Sequence, residues 1–295
     1  MSPPVICYAI TDRRLHAADE RDPANRAPST AQPPSPAIAA VTPPPVSRDS
    51  SGDASDMTQA AADPFLPAAT LSAHQMDHLL RQARHLRATG VDYLQLREKD
   101  LAPADLHTLA TSLRQAFPPG SRPRLLLNLG HPEHHTATLG IALAIVADGL
   151  HLPGNSPADL PARIRTAFRR ACRSTPILST SAHTLADVAQ ARANNLDLIL
   201  FGPVFGKTVF GDVVNKTVVG ESALGSSTLA TPSPALAGQL VTPALGLEAL
   251  AAAVDAAGPI PLLALGGITD QNSDACLAAG ARGLAGIRLF LTPAP

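Results

Sequence analysis

Short apolar runs and helical stripes alternate along this chain. Val5-Ile6-Cys7-Tyr8-Ala9-Ile10-Thr11 is nearly all apolar and reads as a buried strand. Met76, Leu79, Leu80, Ala83 and Leu86 then recur at helical spacing, with a capping-box pair at Ser72 and Gln75 ahead of them and Gly90 behind. A strand is predicted over 92–98, and Pro103 opens a helix whose apolar positions include Leu106, Leu109, Leu113 and Phe117. Strands over 124–128 and 148–152 flank a helix over 134–145. Ser156-Pro157-Ala158-Asp159 reads as the next helix start, with proline at the first helical position. Strands over 176–181 and 196–204 flank a helix with capping spacing at Thr184 and Asp187. A helix over 246–256, a strand over 261–265, a helix over 270–279 and a strand over 283–290 complete the series.

Eight strands alternating with seven helices predict a parallel sheet covered by helices and closed into a (β/α)8 TIM barrel. The rival, an open doubly wound sheet, would carry Gly-x-Gly-x-x-Gly after an early strand, and the chain has none there. The chain stops at Pro295, just after the eighth strand, so the last helix is expected to be missing or short.

Two stretches break the rhythm. Residues 17–71 are rich in Pro, Ala, Ser and Asp, with Pro33-Pro34-Ser35-Pro36 and Pro43-Pro44-Pro45. Such a composition buries too little apolar surface to offset its ordering entropy, and it predicts a disordered insertion after strand one. Residues 209–243, with Gly, Ser and Thr throughout, predict a flexible insertion after strand six. The rest is one barrel domain within 1–295. Both insertions follow barrel strands and should leave from the same rim, either partly covering it or decorating it.

Composition narrows the function classes. Formal net charge is −1 over 295 residues, which gives no bulk attraction to nucleic acid or membrane. Aromatics are only 3% with no Trp, so a stacking platform for single-stranded nucleic acid is poorly supplied. No apolar run approaches the ~20 residues of a membrane helix. Cys7, Cys172 and Cys276 are too widely spaced for a zinc pattern or a disulfide framework, and no basic-then-apolar leader is visible. A cytoplasmic location is expected.

In a barrel of this kind chemistry sits at the C-terminal ends of the strands. Gln95, Arg97 and Lys99 alternate onto one face at the end of the second strand, a set suited to a polyanion such as pyrophosphate. A solvated strand end is the alternative, but polar and glycine residues also gather at the other strand ends: Asp12, Asn128, His151, Ser181, His183, 202–207, Gly266, Gly267, Ile287 and Arg288. Gly266-Gly267-Ile268-Thr269 precedes a helix expected near Asp270, so backbone N–H groups and the helix N-terminus could receive a phosphate. His183 could move protons near neutral pH. His131-Pro132-Glu133-His134-His135 fits no standard zinc spacing.

These segments resemble the thiamine phosphate synthase/TenI family. The resemblance rests on Tyr8-Ala9-Ile10-Thr11-Asp12, Leu94-Gln95-Leu96-Arg97-Glu98-Lys99, Leu127-Asn128, Ala147-Asp148-Gly149-Leu150-His151-Leu152, Ser181-Ala182-His183-Thr184, 200–205 and 264–269, in family order. It implies a (β/α)8 barrel that couples hydroxymethylpyrimidine pyrophosphate to thiazole phosphate and releases pyrophosphate with Mg²⁺. By resemblance Gln95, Arg97, Lys99 and Asn128 hold the pyrophosphate-bearing substrate, and Ser181 contacts it. Lys207, with Thr208 beside it, stands for the family's lysine after strand six. Gly266 and Gly267 bind the thiazole phosphate, with Ile287 and Arg288 at the end of strand eight.

The chain departs from the family pattern at the metal. Where the synthases carry Asn-Asp after strand three, Leu129 follows Asn128, and the loop after strand four reads Gly154-Asn155-Ser156 without the second acid. Mg²⁺ thus lacks its usual carboxylates, with Glu133 as the one nearby substitute, and the metal ligands stay unassigned. The resemblance leaves two further readings: a metal-independent thiazole tautomerase of the TenI type using His183, and a non-catalytic barrel that holds a phosphate ligand. All three expect a small phosphorylated molecule as partner, with oligomerisation left open.

Overall fold

The apolar runs are strands β1 (Ile6–Ile10), β2 (Tyr93–Leu96), β3 (Arg124–Asn128), β4 (Gly149–Leu152), β5 (Ile177–Ala182), β6 (Leu198–Phe201), β7 (Lys207–Val209), β8 (Leu240–Thr242), β9 (Leu262–Leu265) and β10 (Gly283–Gly286). Between them lie α1 (Ala73–Ala88), α2 (Pro103–Ala116), α3 (His135–Ala144), α4 (Leu160–Arg170), α5 (Leu185–Ala193), α6 (Gly246–Ala257) and α7 (Ser273–Ala278). The computed structural model describes residues 4–12, 70–209 and 240–290. Most of both expected insertions therefore lies outside the described residues.

Eight strands pair in parallel in the order β1-β10-β9-β6-β5-β4-β3-β2 and close into a barrel. This is the predicted (β/α)8 architecture. Strand alternation divides the apolar residues into two layers. Tyr8, Ile10, Leu126, Leu198, Leu200, Leu263 and Ala285 fill the barrel interior. Ala9, Leu94, Leu96, Leu125, Leu127, Leu150 and Ile199 face outward and pack with α1 Leu79, α2 Leu109 and Leu113, α4 Ile164 and Phe168, and α6 Leu250. Continuous apolar runs such as Leu125-Leu126-Leu127 follow from this geometry, because both faces of the strand are buried.

One device recurs at the N-terminal ends of the strands. Asp92, Asp148 and Asp197 each precede a strand, and each carboxylate accepts the backbone N–H near the start of the strand before it: Cys7 at 2.9 Å, Leu125 at 2.9 Å and Leu178 at 2.8 Å. Each aspartate also donates its own N–H to the carbonyl of the same residue, at 3.0, 3.0 and 2.8 Å. The pairs β1–β2, β3–β4 and β5–β6 are thus fixed in register by a two-sided clamp at the end opposite the candidate site.

Both capping boxes form, Ser72 with Gln75 and Thr184 with Asp187. Several boundaries differ from expectation. Helix α4 starts at Leu160, with the proline of its first turn at 161; Pro157 sits in the turn before it, where its carbonyl accepts Leu160 N–H at 3.0 Å. Helix α7 begins at Ser273 instead of near Asp270, because Asn272 Oδ1 takes Thr269 N–H at 2.8 Å and Asn272 Nδ2 donates to Gly267 O at 3.0 Å, folding 267–272 into a turn. Strand β10 ends at Gly286, four residues short of the expected strand, and 287–290 bend away without a helix. The edges of the second insertion are themselves ordered backbone: β7 and β8 pair antiparallel as a short ribbon.

Candidate functional site

The polar inward residues of four neighbouring strands converge at the C-terminal rim. Register places Gln95 beside Leu126, Asn128 beside His151, and His151 beside Ser179. Gln95 is buried, and its Nε2 donates to Asn128 Oδ1 at 3.0 Å. Among the described residues Gln95 Oε1 has no hydrogen-bond partner. A buried unpaired carbonyl oxygen is costly, and a ligand donor would satisfy it.

Next to this amide pair a hydrogen-bonded chain runs up the barrel interior. Tyr8 Oη lies 3.1 Å from Ser179 Oγ, Ser179 Oγ lies 2.9 Å from His151 Nδ1, and His151 Nε2 lies 3.0 Å from Ser181 Oγ. Burial, reinforced by Arg97 and Lys99, pushes the His151 imidazole down to about 3. The ring is therefore neutral at physiological pH, and both cations of the β2 end lie within electrostatic reach of it. Burial also raises the Tyr8 phenol, which stays protonated.

Arg97 is set by a threonine bridge. Thr11 Oγ1 accepts Arg97 N–H at 2.9 Å and donates to the buried Glu98 carboxylate at 2.7 Å. The β1 and β2 ends are thus tied together at the Arg97 backbone. Lys99 is exposed and lines, with Glu98, Asn128, Leu129, His134 and Thr138, a pocket at the ends of β2 and β3.

Gly266 and Gly267 take positive φ values of 92° and 67°. A Cβ on Gly267 would lie 2.7 Å from Phe205 Cβ and 2.8 Å from Phe205 O, so only glycine lets the end of β9 dock on the loop after β6. With α7 starting six residues later and only six residues long, the helix N-terminus drops out of the phosphate argument, which rests on the glycine backbone alone.

The remaining expected residues sit around the same rim. His183 is exposed beyond β5; its Nδ1 contacts Gly202 O, and since a carbonyl only accepts, Nδ1 is the donor. Ile287 is half-buried in contact with the interior cluster, and Arg288 is exposed just past β10. Lys207 and Thr208 open β7, and their side chains lie outside the described residues. His151 was noted in the sequence only as a polar strand end without a role, and Tyr8 and Ser179 were not singled out, although the signal was present as polar residues on alternate positions of otherwise apolar strands.

The donor set does not fit a divalent cation held by carboxylates. Leu129 occupies the position after Asn128 and is buried in the outer apolar cluster. Glu133, the expected substitute, lies exposed on a short 3-10 turn with the His134 ring 4.0 Å away, and it does not line the pocket. Among the described residues no group of three or more His, Cys, Asp or Glu side chains is placed to hold a metal ion.

A family model for thiamine monophosphate synthase matches residues 69–209. The thiamine-phosphate synthase of Moorella thermoacetica is 31% identical over 70% of this chain and 77% of its own length. That of Methanoculleus marisnigri is 31% identical over 69% of this chain and 75% of its own length. Among solved structures, thiamine phosphate pyrophosphorylase from Pyrococcus furiosus is 21% identical with a TM-score of 0.48, over 71% of this chain and 79% of that one.

Proposed function

The chain belongs to the thiamine-phosphate synthase family, and from that premise we propose that it joins hydroxymethylpyrimidine pyrophosphate to thiazole phosphate, forming thiamine phosphate and releasing pyrophosphate. The observation that carries this reading is the inward polar set Gln95, Asn128, His151 and Ser181 beneath two cations, Arg97 and Lys99, at one rim of a closed barrel. Arg97 and Lys99 face the pyrophosphate and offset the negative charge that develops as it leaves. Gln95 and Asn128 present one unpaired acceptor and an amide ladder to the pyrimidine, and the Gly267 backbone receives the thiazole phosphate. The bond from the pyrimidine methylene to the pyrophosphate oxygen breaks, and the thiazole nitrogen lone pair forms the new bond to that carbon. No step is routed through a carboxylate-held metal, because among the described residues no such donor set is placed. The partners in this reading are small phosphorylated molecules, and three free thiols are consistent with a cytoplasmic setting.

Purified protein given both substrates, with Mg²⁺ and separately with a chelator, should form thiamine phosphate with stoichiometric pyrophosphate. No product under either condition overturns the reading. The missing acids favour one second reading, a metal-independent thiazole tautomerase with His183 Nε2 as the base. It predicts turnover of a thiazole carboxylate phosphate that falls sharply in His183→Ala, and unchanged turnover in that variant excludes it.

A further inference from the structure

Ser181 faces the mouth, but the direction of its hydroxyl is decided three hydrogen bonds away, at Tyr8. Tyr8 is fully buried, and among the described residues its hydroxyl has one partner, Ser179 Oγ at 3.1 Å. A buried O–H left without an acceptor costs about 1–3 kcal/mol, so Tyr8 donates to Ser179. Ser179 is itself fully buried, and with one lone pair engaged its own proton has His151 Nδ1 to go to, at 2.9 Å. Nδ1 then accepts, so the proton of a neutral imidazole sits on Nε2. Nε2–H donates to Ser181 Oγ at 3.0 Å. Ser181 accepts from below and is left with its O–H to give away, and it is half-exposed at the rim, above the His151 ring that Arg97 and Lys99 reach electrostatically.

We propose that Tyr8, Ser179 and His151 form a one-way hydrogen-bond relay that fixes Ser181 as a donor toward the bound pyrophosphate, making the three positioning residues for the reaction. The reverse polarity would have Ser181 donating inward to Nε2, Nδ1–H donating to Ser179, and Ser179 donating to Tyr8, with the tyrosine proton stranded in an apolar barrel. It would also present an anion with the Ser181 lone pairs. The relay thus supplies an uncharged donor whose direction is set before ligand arrives, which spares reorganisation at the moment of binding. The groups facing the imidazole are Ser179 and Ser181 on β5, Tyr8 on β1, Asn128 on β3, and Arg97 and Lys99 at the end of β2.

This inference rests on the synthase reading for the identity of the anion, but its polarity is testable without it. Full-length protein carrying ¹⁵N-labelled histidine reports the tautomer of each ring through long-range ¹H–¹⁵N correlations, with His151 assigned by the signal lost in His151→Gln. The wild-type ligand-free protein should show His151 neutral and protonated on Nε2 at pH 7. Tyr8→Phe, which removes only the hydroxyl, should bring in the Nδ1-protonated form and weaken binding of inorganic pyrophosphate about fivefold, the equivalent of one ordinary hydrogen bond. Wild-type His151 protonated on Nδ1, or on both nitrogens, overturns the relay. So does an unchanged tautomer in Tyr8→Phe, or a changed one with unaltered pyrophosphate affinity. Failure of the synthase reading shows up separately, as absent thiamine phosphate from a protein whose His151 tautomer and pyrophosphate affinity behave as described.

Discussion

Arg114 Nη2 lies 2.7 Å from Asp148 Oδ2, and both side chains are under a tenth exposed. Asp148 is also the clamp of the β3–β4 pair and accepts Leu125 N–H and Gly120 N–H. Its replacement by alanine leaves a buried guanidinium without its counter-ion and a strand N–H without its acceptor. Asp148→Ala is expected to lower unfolding free energy by about 3–5 kcal/mol, measured by urea denaturation. Asp197→Ala, at an aspartate half-exposed to solvent, is expected to cost about 1 kcal/mol.

His151 sets a pH dependence of stability. Its folded-state value is about 3 against an ordinary 6.5. Below about pH 6.5 the unfolded chain takes up a proton that the folded protein refuses until about pH 3. Stability from this group is therefore complete above pH 6.5 and falls as pH drops, by about 1.4 kcal/mol per pH unit, or about 2 kcal/mol at pH 5. His151→Gln should flatten the difference between denaturation curves at pH 7 and pH 5 by that amount.

Arg97 and Lys99 should each carry pyrophosphate affinity. A charge-assisted hydrogen bond contributes about 1.5–3 kcal/mol, so Arg97→Ala is expected to weaken inorganic pyrophosphate binding roughly ten- to 150-fold by calorimetry. Lys99 is more exposed, so Lys99→Ala should have the smaller effect, and added salt should shrink it further.

Gly267→Ala places a Cβ 2.7 Å from Phe205 Cβ at a φ of 67°. The left-handed conformation alone costs an alanine about 1–2 kcal/mol. Loss of stability by denaturation, with weaker binding of thiazole phosphate, is the expected pair of outcomes.

Leu129→Asp would restore an acid after Asn128, but Leu129 is 1% exposed within the outer apolar cluster. Burying an unpaired carboxylate there is expected to lower stability by several kcal/mol and to raise no Mg²⁺ requirement in product assays.

The barrel was legible because both layers of each strand are apolar, and a run such as Leu198-Ile199-Leu200-Phe201 has no other economical reading in an alternating pattern. The cations and amide of β2 were legible because alternation along one strand is local. The relay was not, since Tyr8 and Ser179 are 171 residues apart and meet only when the barrel closes. Its trace is a single polar residue inside Gly149-Leu150-His151-Leu152 and a serine pair two apart on β5. Helix starts were misplaced for a local reason. Pro157 and the Gly267–Asn272 segment each form a turn whose own hydrogen bonds delay the first helical residue.

The three aspartate clamps lock neighbouring strands at the floor of the barrel, while the long sequence segments 13–69 and 210–239 join the described residues after Asp12 and Val209. Alignment of the staves is thus settled by groups those segments adjoin nowhere in sequence. Lengthening or trimming them should leave the relative heights of Gln95, Asn128, His151 and Ser181 untouched, so those stretches are free to diversify while the polar ring keeps its level.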